Sequence, residues 1–185
     1  SYTSTMIPSS DVDVNDVWTV RVTPNDGYHD GVAAEASVVI SNSIPTVSTP
    51  VITSSAGSFY NDATFTCTAT ASDADETVSA TYMWNIAGQT AVGATVNLSS
   101  YAVMPSDTVT CTAAVQDSNG GMASSSVDQL VANRLPSISQ TAIAPSSAHS
   151  NSLVTCSAVA SDPDGESTSD TYTWSLNGTP MGTGA

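Results

Sequence analysis

Three kinds of residue in this chain are equipped for chemistry: three cysteines, two histidines, and carboxylates gathered in short loops. The loops read Asp73-Ala74-Asp75-Glu76, Asp117-Ser118-Asn119 and Asp162-Pro163-Asp164-Gly165-Glu166. Their side chains offer mainly oxygen, the ligand type that Ca²⁺ takes. Asp162-Pro163-Asp164-Gly165 opens as a calcium loop does, but Thr173 stands at the twelfth position, where such a loop carries an acid. Asp and Gly are also what tight turns require, so turn chemistry is the alternative reading of the same residues. His29 and His149 are far apart in sequence and cannot form a zinc site with cysteines that are bridged or buried. No G-x-S-x-G, no C-x-x-C and no phosphate-cradling glycine loop occurs, so no catalytic residue is assigned.

Composition narrows the classes of partner. The 185 residues carry a net charge of −15, with two arginines (Arg21 and Arg134) and no lysine. Two cations cannot line a groove for phosphates, which argues against nucleic acid. They cannot hold an anionic membrane surface either, and no apolar run approaches the length of a span. Hydrophobic residues make up 40% of the chain, enough to build real cores rather than a disordered tail. The chain starts at Ser1 without a signal peptide, so Ser1 reads as an internal position of a longer polypeptide.

The elements that must position these residues repeat. TFTCTATASDADE around Cys67 returns as LVTCSAVASDPDGE around Cys156, and TYMWNIAG around Trp84 returns as TYTWSLNG around Trp174. Residues 15–45 match residues 106–136 at an offset of 91, with Asp16 on Asp107, Val20 on Cys111, Asp26 on Asp117 and Asn42 on Asn133. A fixed period of this size marks an array of like domains. The expected organisation is the tail of one unit (1–44), one whole unit (45–135) and the head of a third (136–185).

Within each unit apolar residues alternate with threonine. Phe65, Cys67, Ala69 and Ala71 form one inward set, Val109, Cys111, Ala113 and Val115 another, and Tyr82, Trp84 and Ile86 a third. Trp18, Val20 and Val22 in the first unit, and Val154, Cys156, Ala158, Ala160, Tyr172, Trp174 and Leu176 in the third, are their equivalents. Period-2 alternation with a polar face predicts antiparallel sheets, and no segment shows a helical stripe. Turn-forming residues separate the strands. The expected fold class is therefore all-β, and about 90 residues with some seven strands has the size of an immunoglobulin-like sandwich.

The order Cys67, Trp84, Cys111 resembles the core of the immunoglobulin fold, where two strands are bridged and a tryptophan packs on the bridge. The resemblance implies a Cys67–Cys111 disulfide, with two buried reduced thiols as the alternative. It implies a core centred on Trp84, with Trp174 and Trp18 in the flanking units. Val109 stands where the usual tyrosine corner would be. Cys156 is then half of a pair whose partner strand would lie beyond Ala185. In such a sandwich the loops holding Asp73, Asp75, Glu76, Asp117 and Asn119 meet at one pole beside Asn42, and Asp162, Asp164 and Glu166 gather beside Asn133. That makes each junction a candidate Ca²⁺ site, with Arg134 as an alternative counter-charge at the second.

The motifs WTVRVTPNDG, VVISNSIPTV, TCTATASDADE and TYTWSLNG are similar to the tandem Ig-like or PKD-like repeats of very large bacterial surface proteins. The resemblance implies an extracellular, cell-surface setting and a structural role as stalk or filament rather than an enzyme. The partners it implies are neighbouring repeats of the same long chain, or identical chains in a fibre. The flanking part-units would be completed either in a longer tandem polypeptide or by strand complementation between copies. An adhesin that grips a surface glycan or protein is the alternative role.

Overall fold

A computed structural model of the chain describes residues 4–184, and it is all-β. In chain order the strands are β1 (Val17–Val22), β2 (Ala34–Val39), β3 (Thr46–Val47), β4 (Val51–Ser54), β5 (Thr64–Thr68), β6 (Ala71–Ser72), β7 (Thr81–Ile86) and β8 (Gln89–Val92). They continue as β9 (Thr95–Asn97), β10 (Thr108–Gln116), β11 (Met122–Leu130), β12 (Ser137–Ala144), β13 (Thr155–Ser161), β14 (Tyr172–Leu176) and β15 (Thr179–Gly184). Single 3₁₀ turns at Ser9–Asp11 and Leu98–Ser100 are the only helical pieces among the described residues.

The strands form small sheets. Four strands run in the order β11-β10-β7-β8 and three in the order β4-β5-β9, while β1-β2, β3-β6, β12-β13 and β14-β15 are two-stranded. The pairs β1-β2, β3-β6, β5-β9, β7-β8, β12-β13 and β14-β15 are antiparallel, as the alternation predicts. Contacts divide the chain into two compact units. One joins the segment up to Pro50 with Thr68–Tyr82 and Thr112–Ser126; the other joins Val51–Cys67, Met83–Cys111 and the segment from Val127 onward.

The core of the second unit draws on both larger sheets. Phe65 and Cys67 from β5, Trp84 and Ile86 from β7, and Val109 and Cys111 from β10 are all wholly buried. Cys67 and Cys111 are disulfide-bonded with Cα atoms 6.5 Å apart, which ties the three-stranded sheet to the four-stranded one. Trp84 donates its indole N–H to the Gly93 carbonyl at 2.9 Å, so its one polar atom is satisfied inside the core. Phe59 meets Phe65 edge to face at 5.3 Å. In the first unit, Tyr82 takes over where β5 stops. Its hydroxyl accepts from the Ala69 amide at 2.9 Å and donates to the Ala69 carbonyl at 3.2 Å, giving both backbone groups of Ala69 a partner between β5 and β6.

The core expected around Trp174 and Trp18 is not built in this way. Trp174 is 37% exposed and Trp18 is half-buried. Val20 and Val22 on β1, Val154 and Leu176 are exposed as well. These residues sit in or beside two-stranded ribbons, and a ribbon offers no second sheet to cover its apolar face.

Local geometry recurs at an offset of 91. Asn15 N–H donates to the Ile40 carbonyl and Ile40 N–H to the Asp16 carbonyl, both at 2.9 Å; Ser106 to Val131 and Val131 to Asp107 do the same at 2.9 Å. The Asp16 carboxylate caps the Asp13 amide at 3.0 Å, and the Asp107 carboxylate caps the Met104 amide at 2.8 Å. Asn15 and Ser106 both take left-handed backbone, with φ of 70° and 73°. The hydroxyl of Thr19 pairs with Ser37 across β1-β2 at 2.7 Å, as Thr110 pairs with Asp128 across β10-β11 at 2.8 Å.

Candidate functional site

The chemistry-bearing residues collect around two linkers, 40–45 in the first unit and 131–136 in the second. At the first joint the linker threads between two loops. Asn42 donates its side-chain amide to Asp117 Oδ2 at 2.9 Å, and the Ser43 N–H donates to Asp75 Oδ2 at 2.5 Å. The two loops also hold each other, because Glu76 Oε1 accepts from the Ser118 N–H at 2.5 Å. Asp117 folds its own hairpin: Oδ1 accepts from Asn119 N at 2.9 Å and Gly121 N at 2.7 Å. Asp73 does the same for its loop, with Oδ1 accepting from Asp75 N at 2.7 Å and Glu76 N at 3.3 Å.

Two details explain why these residue types are needed. Pro45 is fully buried, and lacking an N–H it brings no donor that the pole would have to satisfy. Gly121 passes so close to the loop that a Cβ there would collide with the Asp117 carboxylate and come within 3.1 Å of Pro45 Cδ. Of the oxygens at this joint, Asn42 Oδ1 and Asp73 Oδ2 are buried with no hydrogen-bond partner among the described residues.

The Asn42 hydrogen bond, followed by the backbone amides of Gly121, Asn119 and Gly120, holds the Asp117 carboxyl below the usual carboxylate range against the opposing effect of burial. A depressed folded pKa makes a contribution to stability that is present above the unfolded value and lost as pH falls through the folded one. The first joint is therefore expected to be fully tied at neutral pH and to loosen only in acid, below about pH 4. Following the Asn119 and Gly121 amide shifts by NMR checks this. Asn42→Ala should move their titration up toward ordinary aspartate. An unchanged titration midpoint in the variant would refute the role given to Asn42.

The second joint repeats the first with one replacement. Arg134 lies 91 residues after Ser43, and its N–H donates to Asp164 Oδ2 at 2.5 Å, the same bond that Ser43 makes to Asp75. Asp162 Oδ1 accepts from Asp164 N at 2.7 Å, matching Asp73 and Asp75. The side chain is new. Arg134 Nε reaches Asp164 Oδ1 at 2.9 Å and Nη2 reaches the same oxygen at 2.8 Å, while the Asp164 side chain is completely buried. Nη1 takes Asp62 Oδ2 at 3.0 Å, and Nη2 takes Asn61 Oδ1 at 3.1 Å and the Pro163 carbonyl at 3.0 Å. The guanidinium lies 4.7 Å from the centre of the Tyr60 ring. Asn61 closes the set by donating to the Asp164 carbonyl at 2.7 Å, and the Ala132 N–H bonds the Phe59 carbonyl at 2.8 Å. Asp164, and then Asp62, raise the guanidinium pKa further, so the charge is permanent.

The carboxylates of Asp162, Asp164 and Glu166 lie within 4.8 Å of one another. Asp164 already has its counter-charge in Arg134, so an ion placed on these three residues would compete with the guanidinium. At the first joint Asp73, Asp75, Glu76 and Asp117 have no cationic hydrogen-bond partner among the described residues, and backbone N–H groups take up much of their capacity. Asn133, the equivalent of Asn42, instead lines an open groove of about 950 Å³ together with Cys156, Ala158, Ala160 and Tyr172. His29 and His149 sit in separate turns, and each donates its backbone N–H to a side chain of its own loop, Asp26 and Ser152 respectively.

The contacts of Arg134 with Tyr60, Asn61 and Asp62 are absent from the sequence reading, which paired this arginine only with the acidic loop of the third segment. A lone arginine in a chain otherwise nearly free of cations was the available signal. Among the described residues no helix is long and apolar enough to cross a membrane. No protein-family model, curated protein or solved structure matches this chain.

Proposed function

We propose that this chain is a structural segment of a long extracellular fibre or stalk, built from tandem immunoglobulin-like sandwiches with a period of about 91 residues. The task is mechanical: each sandwich carries load, and each joint passes it on without catalysis. One observation carries this reading. The linker amide of Ser43 is tied to Asp75, and that of Arg134 to Asp164, by the same 2.5 Å bond in the same sequence context. A flexible tether would leave its linkers solvated and rich in rotatable small residues. These two are instead bonded to loops on either side.

Three further features agree with the reading. The recurrent bonds of residues 13–40 and 104–131 fit one repeating supersecondary unit. The Cys67–Cys111 bridge suits an oxidising, extracellular compartment. Net charge of −15 with no lysine keeps an extended surface hydrated. Neighbouring repeats, in the same chain or in identical chains, are the partners. Stretching single molecules tests the proposal: a load-bearing sandwich ruptures in a discrete event, whereas a passive spacer extends smoothly.

A further inference from the structure

One hairpin turn occurs twice with the same backbone and different chemistry. Ala87-Gly88 joins β7 to β8 with φ of 48° and 81°, and Asn177-Gly178 joins β14 to β15 with φ of 51° and 83°. The flanking pairs match as well, Ile86 with Gln89 and Leu176 with Thr179. Both central residues of such a turn need left-handed backbone, which asparagine adopts more readily than alanine, so Asn-Gly is the better turn former. It also sets a side-chain amide next to a backbone N–H that no Cβ shields.

We propose that Asn177 is a modification site, where the side-chain amide is lost spontaneously through a cyclic imide with Gly178, and that Asn119, which also precedes a glycine, is spared. The Gly178 nitrogen gives its proton to hydroxide and bonds to Asn177 Cγ. The Cγ–Nδ2 bond breaks, and the nitrogen takes a proton from water and leaves as ammonia. Water then opens the imide. Opening at Cγ leaves aspartate; opening at the main-chain carbonyl carbon leaves isoaspartate, with the chain running through the side chain. No electrons are exchanged. Isoaspartate lengthens a turn that only two residues span, so the pairing of Leu176 with Thr179 cannot survive it.

The fold decides between the two asparagines. Ring closure must swing the nitrogen of the next residue onto the side-chain carbon, which a paired turn resists, so the rate follows how often the turn opens. β14-β15 is a two-stranded ribbon with Trp174 and Leu176 exposed, a marginal arrangement of strands. Among the described residues no group accepts the Gly178 N–H or bonds the Asn177 side chain. Asn119 lies between β10 and β11 of the four-stranded sheet, where β10 carries Val109, Cys111, Ala113 and Val115 into buried positions. Its own N–H donates to Asp117 Oδ1 at 2.9 Å, and the N–H that would attack, that of Gly120, donates to the Asp117 carbonyl at 3.4 Å. Neither hairpin's chemistry depends on the fibre reading.

The test ages the whole chain, with Cys67–Cys111 intact, in mildly alkaline buffer and maps the mass gain of deamidation to each asparagine. Asn177 should convert at least about tenfold faster than Asn119, a ratio set by the difference in opening. In urea, after reduction, the two rates should converge, since both pairs then lie in open chain. Asn177→Ala, which copies Ala87, should remove the product assigned to this hairpin, and its persistence would overturn the assignment. Equal rates in the folded chain, a faster reaction at Asn119, or no conversion of Asn177 in a folded chain whose unfolded form converts fully would each overturn the inference. A gap that persists in urea would overturn it too, because the preference would then belong to local sequence and not to the fold.

Discussion

Reducing the Cys67–Cys111 bridge is expected to lower the unfolding free energy of the segment it closes by about 4 kcal/mol. The figure follows from the sequence separation of 44 residues and the loss of chain entropy that such a closure removes from the unfolded state. Both half-cystines are completely buried, so the reductant acts on molecules that have already opened, and the effect must be read at equilibrium. Urea unfolding of oxidised and reduced protein, with Cys156→Ala in both to prevent exchange, gives the difference directly. The reduced form should show a lower midpoint. It should also show a slightly steeper slope, because its unfolded state is more open. Equal midpoints would mean that the bridge joins parts already held by other contacts, and would remove the covalent lock from the account.

Replacing Arg134 by methionine is expected to release the second joint while leaving the first untouched. Methionine keeps the apolar stem and the backbone N–H bond to Asp164, but it deletes every bond made by the guanidinium. Asp164 would be left with a wholly buried carboxylate and no counter-charge, an arrangement that is strongly destabilising and favours opening of the loop. Amide exchange over 162–166 should then accelerate roughly tenfold or more, since the local opening that exposes the loop loses its main opponent. Exchange at 73–76, where Ser43 holds the equivalent bond, serves as the internal control. Arg134→Lys should rescue little, because one ammonium cannot reach Asp164, Asp62 and Asn61 together as the planar fork does. Full protection in the lysine variant would show that charge alone matters and would contradict the geometric role assigned to the fork.

Much of this was legible from the order of residues, for a physical reason. A strand places alternate side chains on opposite faces, so Val109, Cys111, Ala113 and Val115 could be assigned to one buried face without coordinates. The resemblance implied that the loops of Asn42, Asp75, Glu76 and Asp117 would meet, and hydrogen bonds do link Asn42 to Asp117, Ser43 to Asp75 and Ser118 to Glu76. Alternation does not say whether anything covers an apolar face. That is why Trp84 is buried as expected while Trp174, in nearly the same local sequence, is 37% exposed. The contacts of Arg134 were illegible for another reason. They cross some seventy residues to Tyr60, Asn61 and Asp62, and a long flexible side chain leaves no periodic trace of its target. Tyr82 was legible as an inward residue, but its two bonds to Ala69 were not, since they depend on β5 breaking off two residues before β6 begins.

The comparison of the two joints shows how one backbone solution is tuned by a single side chain. Both use a loop carboxylate to hold the linker N–H. Serine at position 43 leaves the first joint dependent on hydrogen bonds from uncharged donors to carboxylates, such as Asn42 to Asp117. Arginine at position 134 adds a permanent charge and ties in residues on both sides of the linker. On the fibre reading, the two joints differ in stiffness, the second being tied by the additional bonds of the guanidinium.

Load-bearing is the central claim, and stretching single molecules between the chain ends addresses it most directly. The account expects one discrete rupture from the disulfide-bridged segment. Its length gain should be about 15 nm greater in reduced than in oxidised protein, since the 44-residue span extends by roughly 3.4 Å per residue once the bridge is gone. Smooth extension with no discrete rupture in the oxidised chain would contradict it.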